Sequence, residues 1–404
     1  MHLLKNKLLF ISPLVVLLVI ALFGLTLIPS VQQKPKNLPI ALVNEDIGVV
    51  IPQQGKVNMG NTVTNMLKKN ITSTDGEDPP VKWINVKSKE DVLKGLDNQE
   101  YYGALIIPKD FSQKQSSLMT SKPDKPEINI FINQGMNPIA ANLTGQMLNT
   151  MGDNLENGIQ TQVLQRLAKQ NVSLKANQLT VLTDPVQVNV KNVNEVGTAS
   201  MNGSAPVALF QPLWMSSIAG AVVLFFVANK LAFVNRKQKL YAVLTQVLAG
   251  TVLSLVAGFG LTWIADLLGI YISNFMDISL FLIITYFAFF LLITAVLSWL
   301  EMKGIPLFVL ILFFGAPLLS MAPEMMSTFY RDYIYSWLPM RFMVEGLREL
   351  FFFHRGFSFS GPASVLLWIA LGSFLIIILS VLKVQSSASD KGSYGEVEAR
   401  STKG

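Results

Sequence analysis

The chain alternates between two kinds of pattern. Long runs without a charged residue stand at Leu8–Ile28, Ala208–Ala228, Leu240–Ala265, Ile278–Leu300, Ile305–Ala322 and Pro362–Leu382. Each is near or above the roughly 18 apolar residues that read as a bilayer-crossing helix. Hydrocarbon offers the backbone no hydrogen-bond partner, so these runs are expected to be helices. The fifth is the shortest and carries Pro306 and Pro317, the second of which would kink or end it. Between the first and second runs the pattern is finer. "LPIALVNED", "VKWINV", "YYGALIIP", "EINIFIN" and "PVQVNVKNV" read as strands. "GNTVTNMLKKN", "SKEDVLKGLDNQE" and "KDFSQKQSSLM" read as helices, the second opening on a Ser88-x-x-Asp91 start. From Asn137 to Lys169 a long polar helix repeats apolar residues at three- and four-residue steps, among them Leu148, Leu155, Ile159 and Val163. The expected fold is an α-helical membrane protein: six transmembrane helices, with a small α/β extracytoplasmic domain on a helical stalk inserted between the first and second.

Composition agrees. Of 404 residues, 51% are hydrophobic and 14% charged, with a mean hydropathy of +0.43; soluble proteins carry about 25% charged residues. Charge then sets the orientation. Lys5 and Lys7 precede the first run, which is too long for a cleaved signal core and lacks a small-x-small cleavage site, so an uncleaved anchor is expected. Lys230, Arg236, Lys237 and Lys239 follow the second run with no acid among them. The positive-inside rule places both segments in the cytoplasm. This gives a cytoplasmic N-terminus over 1–7, an outer domain over 29–207, a five-span domain over 208–382 and a disordered cytoplasmic tail over 383–404. The chain has no cysteine, which excludes thiolate metal sites and disulfides and, for an exported domain, suits a bacterial cytoplasmic membrane. The net charge of +6 is scattered without interleaved aromatics, so nucleic acid is not an expected partner.

No catalytic constellation stands out. The two histidines, His2 and His354, lie outside the α/β segment, and no G-x-S-x-G or H-E-x-x-H occurs. No metal site, bound cofactor or enzyme activity is expected. "NEDIG", Asn44–Gly48, could be a ligand loop but reads better as a turn with Gly48 at the bend; "NQGMNP", Asn133–Pro138, reads as a strand-to-helix turn. Gly250, Gly258 and Gly260 allow close helix packing. Because none of the apolar runs contains a charged residue, an ion-coupled carrier is disfavoured and an apolar or amphipathic substrate favoured.

One stretch breaks the pattern. "WLPMRFMVEGLREL" sets four charges between the last two runs. On a helix entered at Pro339, Arg341, Glu345 and Arg348 share one face at i, i+4 and i+7, so the ions can pair. Two readings of 338–355 fit: an interfacial amphipathic helix touching membrane lipid, or a re-entrant gate whose Arg341, Glu345 and Arg348 line an exit.

Four stretches together resemble a known family. "LPIALVNEDIG" follows the first run, "YYGALIIPKDFS" lies in the outer segment, "FQPLWMSSIAGAVVLFF" opens the second run, and "LPMRFMVEGLREL" precedes the last. Their order is similar to that in the membrane subunits of ABC type-2 transporters, in the branch of YhgE/Pip-like permeases named for the phage infection protein. The outer segment is short for that branch. The resemblance implies a permease that works as a homodimer or as a heterodimer with a related permease. Export would be driven by ATP hydrolysed on a separate P-loop ATPase subunit, and indeed no G-x-x-x-x-G-K-[ST] occurs in this chain. It also implies an ATPase-coupling helix between the second and third spans, where Asn229, Arg236, Lys237 and Lys239 lie, and a re-entrant pair before the last span. The alternative from another class is a membrane-anchored scaffold or receptor, serving a secretion machine or a phage.

Overall fold

The structure is a computed structural model. It describes residues 17, 20–21, 35–51, 55–69, 78–118, 120, 122–170, 181–230 and 235–383, without side chains at 166–170. The expected first span, apart from three positions, and the tail beyond Lys383 lie outside the described residues. Two compact units divide the chain: 1–208 with 269–273 and 312–355, and 209–268 with 274–311 and 356–404.

The first unit is built on a five-stranded mixed sheet. Its strands are β1 (Leu38–Asn44), β4 (Val81–Asn85), β5 (Gly103–Ile107), β6 (Glu127–Asn133) and β7 (Gln187–Val193), in the order β4-β1-β5-β6-β7. A short hairpin, β2 (Val49–Ile51) with β3 (Gly55–Val57), precedes helix α1 (Met59–Lys69). Between the strands from β4 to β7 lie α2 (Lys89–Asp97), α3 (Phe111–Ser117) and α4 (Pro138–Gln170). Residues with continuous apolar runs take the centre: β5 is buried at every position and β1 at five of seven. The polar alternation of "QVNVKNV" suits β7 to an edge. Strand β1 pairs in parallel with β4 and β5, which requires the crossover helices α1 and α2; β5 and β6 run antiparallel.

Alternate residues of each strand enter opposite layers. Ile40, Leu42, Leu105, Ile107 and Ile130 pack with Val63 of α1, Phe111 of α3 and Leu148, Leu155 and Ile159 of α4. On the other face Ala41, Val43, Ala104, Ile106 and Phe131 meet Val92 and Leu96 of α2. All five expected strands form, and Ser88 caps α2 by accepting from the Asp91 amide at 3.2 Å. The long helix corrects its description as a stalk: from Ala140 to Val163 its apolar stripe is buried as a layer on the sheet.

The second unit holds α5 (Phe210–Asn229), α6 (Arg236–Leu267), α7 (Phe275–Leu300) and α10 (Pro362–Leu379); the boundary between units passes through α8 (Ile305–Ser320). Four helical runs among the described residues are long and apolar enough to cross a membrane: Thr198–Asn229, Arg236–Leu267, Phe275–Ser320 and Pro362–Leu382. The chain is therefore a membrane protein of mostly helical build with a small α/β region. The third run contains two of the expected spans, broken at Glu301, whose φ of 54° ends α7. Pro317 lies inside α8, three residues from its end.

Trp214 is fully buried in this unit, edge-on to Phe289 at 4.9 Å and near Phe210 and Phe308. Helix α6 buries Gly250, Ser254, Gly258 and Thr262 at four-residue steps. A Cβ on Gly250 would overlap the Phe290 ring, and one on Gly258 the Ile283 side chain and the Ser279 carbonyl, so α6 and α7 approach through these glycines. A Cβ on Gly260 would meet nothing within 4 Å among the described residues. Gly258→Leu is expected to separate α6 from α7 and lower the melting temperature, at about 1–3 kcal/mol for overpacking. Gly260→Leu is expected to leave it unchanged, and thermal unfolding in detergent compares the two.

Candidate functional site

The "NEDIG" turn is structural. Asp46 is 7% exposed, and its carboxylate accepts from the backbone N–H of Gly48 at 3.2 Å, Gly60 at 3.0 Å and Ser112 at 3.0 Å, and from the Ser112 hydroxyl. Gly60 and Ser112 are the second residues of α1 and α3, so one acid caps two helix N-termini. Among the described residues no group of His, Cys, Asp or Glu could hold a metal ion.

The charged stretch forms α9 (Pro339–Phe352), with proline in its first turn as the sequence requires. It has no wet face. Met340, Met343, Val344, Leu347, Leu350 and Phe351 are buried, and so is Arg348, at 8% exposure. The expected i, i+4 pair exists but is long: Arg341 Nε lies 3.4 Å from Glu345 Oε1. The Arg341 guanidinium sits over the Tyr335 and Phe342 rings, 5.1 and 4.7 Å from their centroids. The Tyr335 hydroxyl donates weakly to Glu345, at 3.5 Å. Arg348 does not join the pair: its Nε and Nη2 are buried with no hydrogen-bond partner among the described residues.

This helix belongs to the same compact unit as the sheet. The Tyr102 hydroxyl, next to β5, donates to Glu324 Oε2 at 2.9 Å, and the Lys36 amide donates to the Glu324 carbonyl. Asn137 caps α4 through its Oδ1 and gives its amide to the Ser320 carbonyl at 3.0 Å. Arg355 Nη2 donates to the Asp97 carbonyl at 3.2 Å, at the end of α2. The "NQGMNP" turn is thus a strand-to-helix turn that also meets the second half of the chain; Gly135 lies against Phe352.

Burial holds the Glu345 carboxyl above its usual range, against the opposing pull of Arg341 and Arg348. It pushes the Tyr335 hydroxyl up to about 12. An acid whose folded value is raised loses stability for the fold as pH rises from about 4.3, its unfolded value, through the folded one. Glu345→Gln is expected to flatten that part of the pH–stability curve and to keep full stability at pH 7. Parallel melting curves for variant and wild type between pH 4 and 7 would contradict it.

The basic segment is in the second unit. Asn229 ends α5, Arg236 and Lys237 are exposed in the first turn of α6, and Asn235 caps that helix through the Gln238 amide. Lys239 is engaged within the chain. Its Nζ donates to the carbonyls of Ser380 and Lys383, both at 2.7 Å, at the C-terminal end of the last helix. Residue spacing holds no sign of this, because the partner carbonyls lie more than 140 positions away.

A family profile described as "Protein of unknown function (DUF3533)" matches residues 8–357. The chain is 26% identical over 133 residues, 33% of its length, to the "Uncharacterized protein YhgE" of Bacillus subtilis (strain 168), and spans 16% of that relative. This bears out the YhgE-like resemblance. Among solved structures it is similar to "a domain of a putative ABC type-2 transporter" from Thermotoga maritima MSB8. That match has 16% identity and a TM-score of 0.26, and covers 38% of this chain and 84% of the other.

Proposed function

Because the chain belongs to the DUF3533 family, over residues 8–357, we propose a single function for its spans and sheet together: the permease subunit of an ABC-type exporter in the bacterial cytoplasmic membrane. Six spans, 8–28 and the five after the sheet, would place both ends inside and the α/β domain outside. The substrate would be apolar or amphipathic. The permease would pair with itself or a related permease, and separate P-loop ATPase subunits would supply the energy.

The observation that carries this reading is the joining of the α/β domain to 312–355 through Tyr102–Glu324, Asn137–Ser320 and Arg355–Asp97. A displayed receptor needs only a tether. A domain fastened to the segment after the fifth span can close an exit and move with it. In the second unit, Arg236 and Lys237 stand at a helix N-terminus, where cations oppose the macrodipole by a few tenths of a kcal/mol each. Helix stability does not explain them, whereas an acidic groove on an ATPase, or anionic lipid, does. Lys239 is already engaged, so the coupling surface reduces to Asn229, Arg236 and Lys237.

Under this reading Glu345→Gln, which keeps the fold, changes export or coupled ATP hydrolysis without lowering membrane abundance. Unchanged activity at wild-type abundance would return α9 to a structural role.

A further inference from the structure

We propose that Arg348 is the receptor for a single oxyanion, the carboxylate or phosphate head of an anionic amphiphile. This rests on, and narrows, the exporter reading of the substrate. Arginine stays charged in proteins, and a buried charge needs partners. Arg348 is 8% exposed, and two of its three nitrogens, Nε and Nη2, have no hydrogen-bond partner among the described residues. These two form one edge of the guanidinium, the edge that grips a carboxylate or phosphate with two parallel hydrogen bonds.

The surroundings leave that edge to a ligand. Glu345, whose charge acts on Arg348, already faces Arg341 and the Tyr335 hydroxyl, and no acid among the described residues lies within ion-pair distance of Arg348. The Tyr102 hydroxyl, also close enough to act on it, donates to Glu324. Met343, Val344, Leu347 and Phe351, within five positions of Arg348 on the same helix, are buried apolar residues. An acyl chain suits such a setting and a free hydrated ion does not. In this structure the edge is closed to solvent, so binding must accompany a shift of α9 or of the tyrosines beside it.

The test is binding to the full-length chain in a neutral detergent, by native mass spectrometry and thermal shift. The probes are phosphatidylglycerol, oleate and inorganic phosphate, with phosphatidylcholine as the zwitterionic control. Phosphatidylglycerol or oleate is expected to bind and raise the melting temperature, at least tenfold more weakly with Arg348→Met, and with Arg348→Lys in between. Phosphatidylglycerol alone would identify a lipid phosphate, oleate alone a carboxylate, and inorganic phosphate acting equally well would identify a free anion at the same edge. Equal binding by wild type and Arg348→Met, or no binding by any anionic probe, would overturn the proposal. Because no ATPase is present, either result stands apart from the exporter reading, which fails only on partner recruitment.

Discussion

Asp46→Ala is expected to destabilise the α/β domain strongly while α5, α6, α7 and α10 of the second unit persist. The substitution strands the Gly60 and Ser112 amides and the Ser112 hydroxyl in a buried position and the Gly48 amide in a part-buried one. Each stranded donor costs about 1–3 kcal/mol, and the shared site makes the total smaller than the sum, so a loss of ~3–5 kcal/mol is expected. That is a large part of the 5–15 kcal/mol, roughly, that holds a domain together. Hydrogen exchange on the full chain reads it directly: amides of β1, β5 and α1 should lose protection. Wild-type protection in those strands would contradict the assignment of Asp46 as the acid that joins two helix starts.

Arg348→Met is expected to do the reverse. Asp46 and Arg348 are buried to nearly the same extent, 7% and 8% exposed, yet one has four donors around it and the other has two bare nitrogens. Replacing an ill-compensated buried charge with an apolar side chain of similar length is neutral to stabilising by about 1–4 kcal/mol. In lipid-free detergent the methionine variant should therefore melt higher than wild type. With phosphatidylglycerol added the gap should narrow, because only wild type gains from the anion. A variant that melts lower in every condition would mean that Arg348 is compensated within the fold, and the anion site would fall with it.

Much of the architecture was legible along the chain because it depends on local period. Alternation marked β4 and β6, and the continuous apolar runs in "LPIALVN" and "GALII" marked β1 and β5. Ser88 marked a helix start that the Asp91 amide confirms. The β2–β3 hairpin was missed, since three-residue strands are too short to show a period. The use of the long helix as a layer was also missed: its apolar stripe was visible, but the pattern does not say against what a stripe packs. The candidate site was legible only in its parts. The Arg341–Glu345 pair follows from i, i+4 spacing. The isolation of Arg348, the Tyr102–Glu324 bond across 222 positions and the engagement of Lys239 by carbonyls of the last helix depend on contacts between distant segments, which no local period encodes.

The measurement that tests the exporter account most directly is copurification in gentle detergent from native membranes, with partners identified by mass spectrometry. The account predicts a stoichiometric P-loop ATPase, lost when Arg236 and Lys237 are both changed to Glu and kept when Lys239, bound within the chain, is changed to Arg. Recovery of the chain alone or with secretion components, under conditions that hold a known ABC complex together, would contradict it and favour a membrane-anchored scaffold.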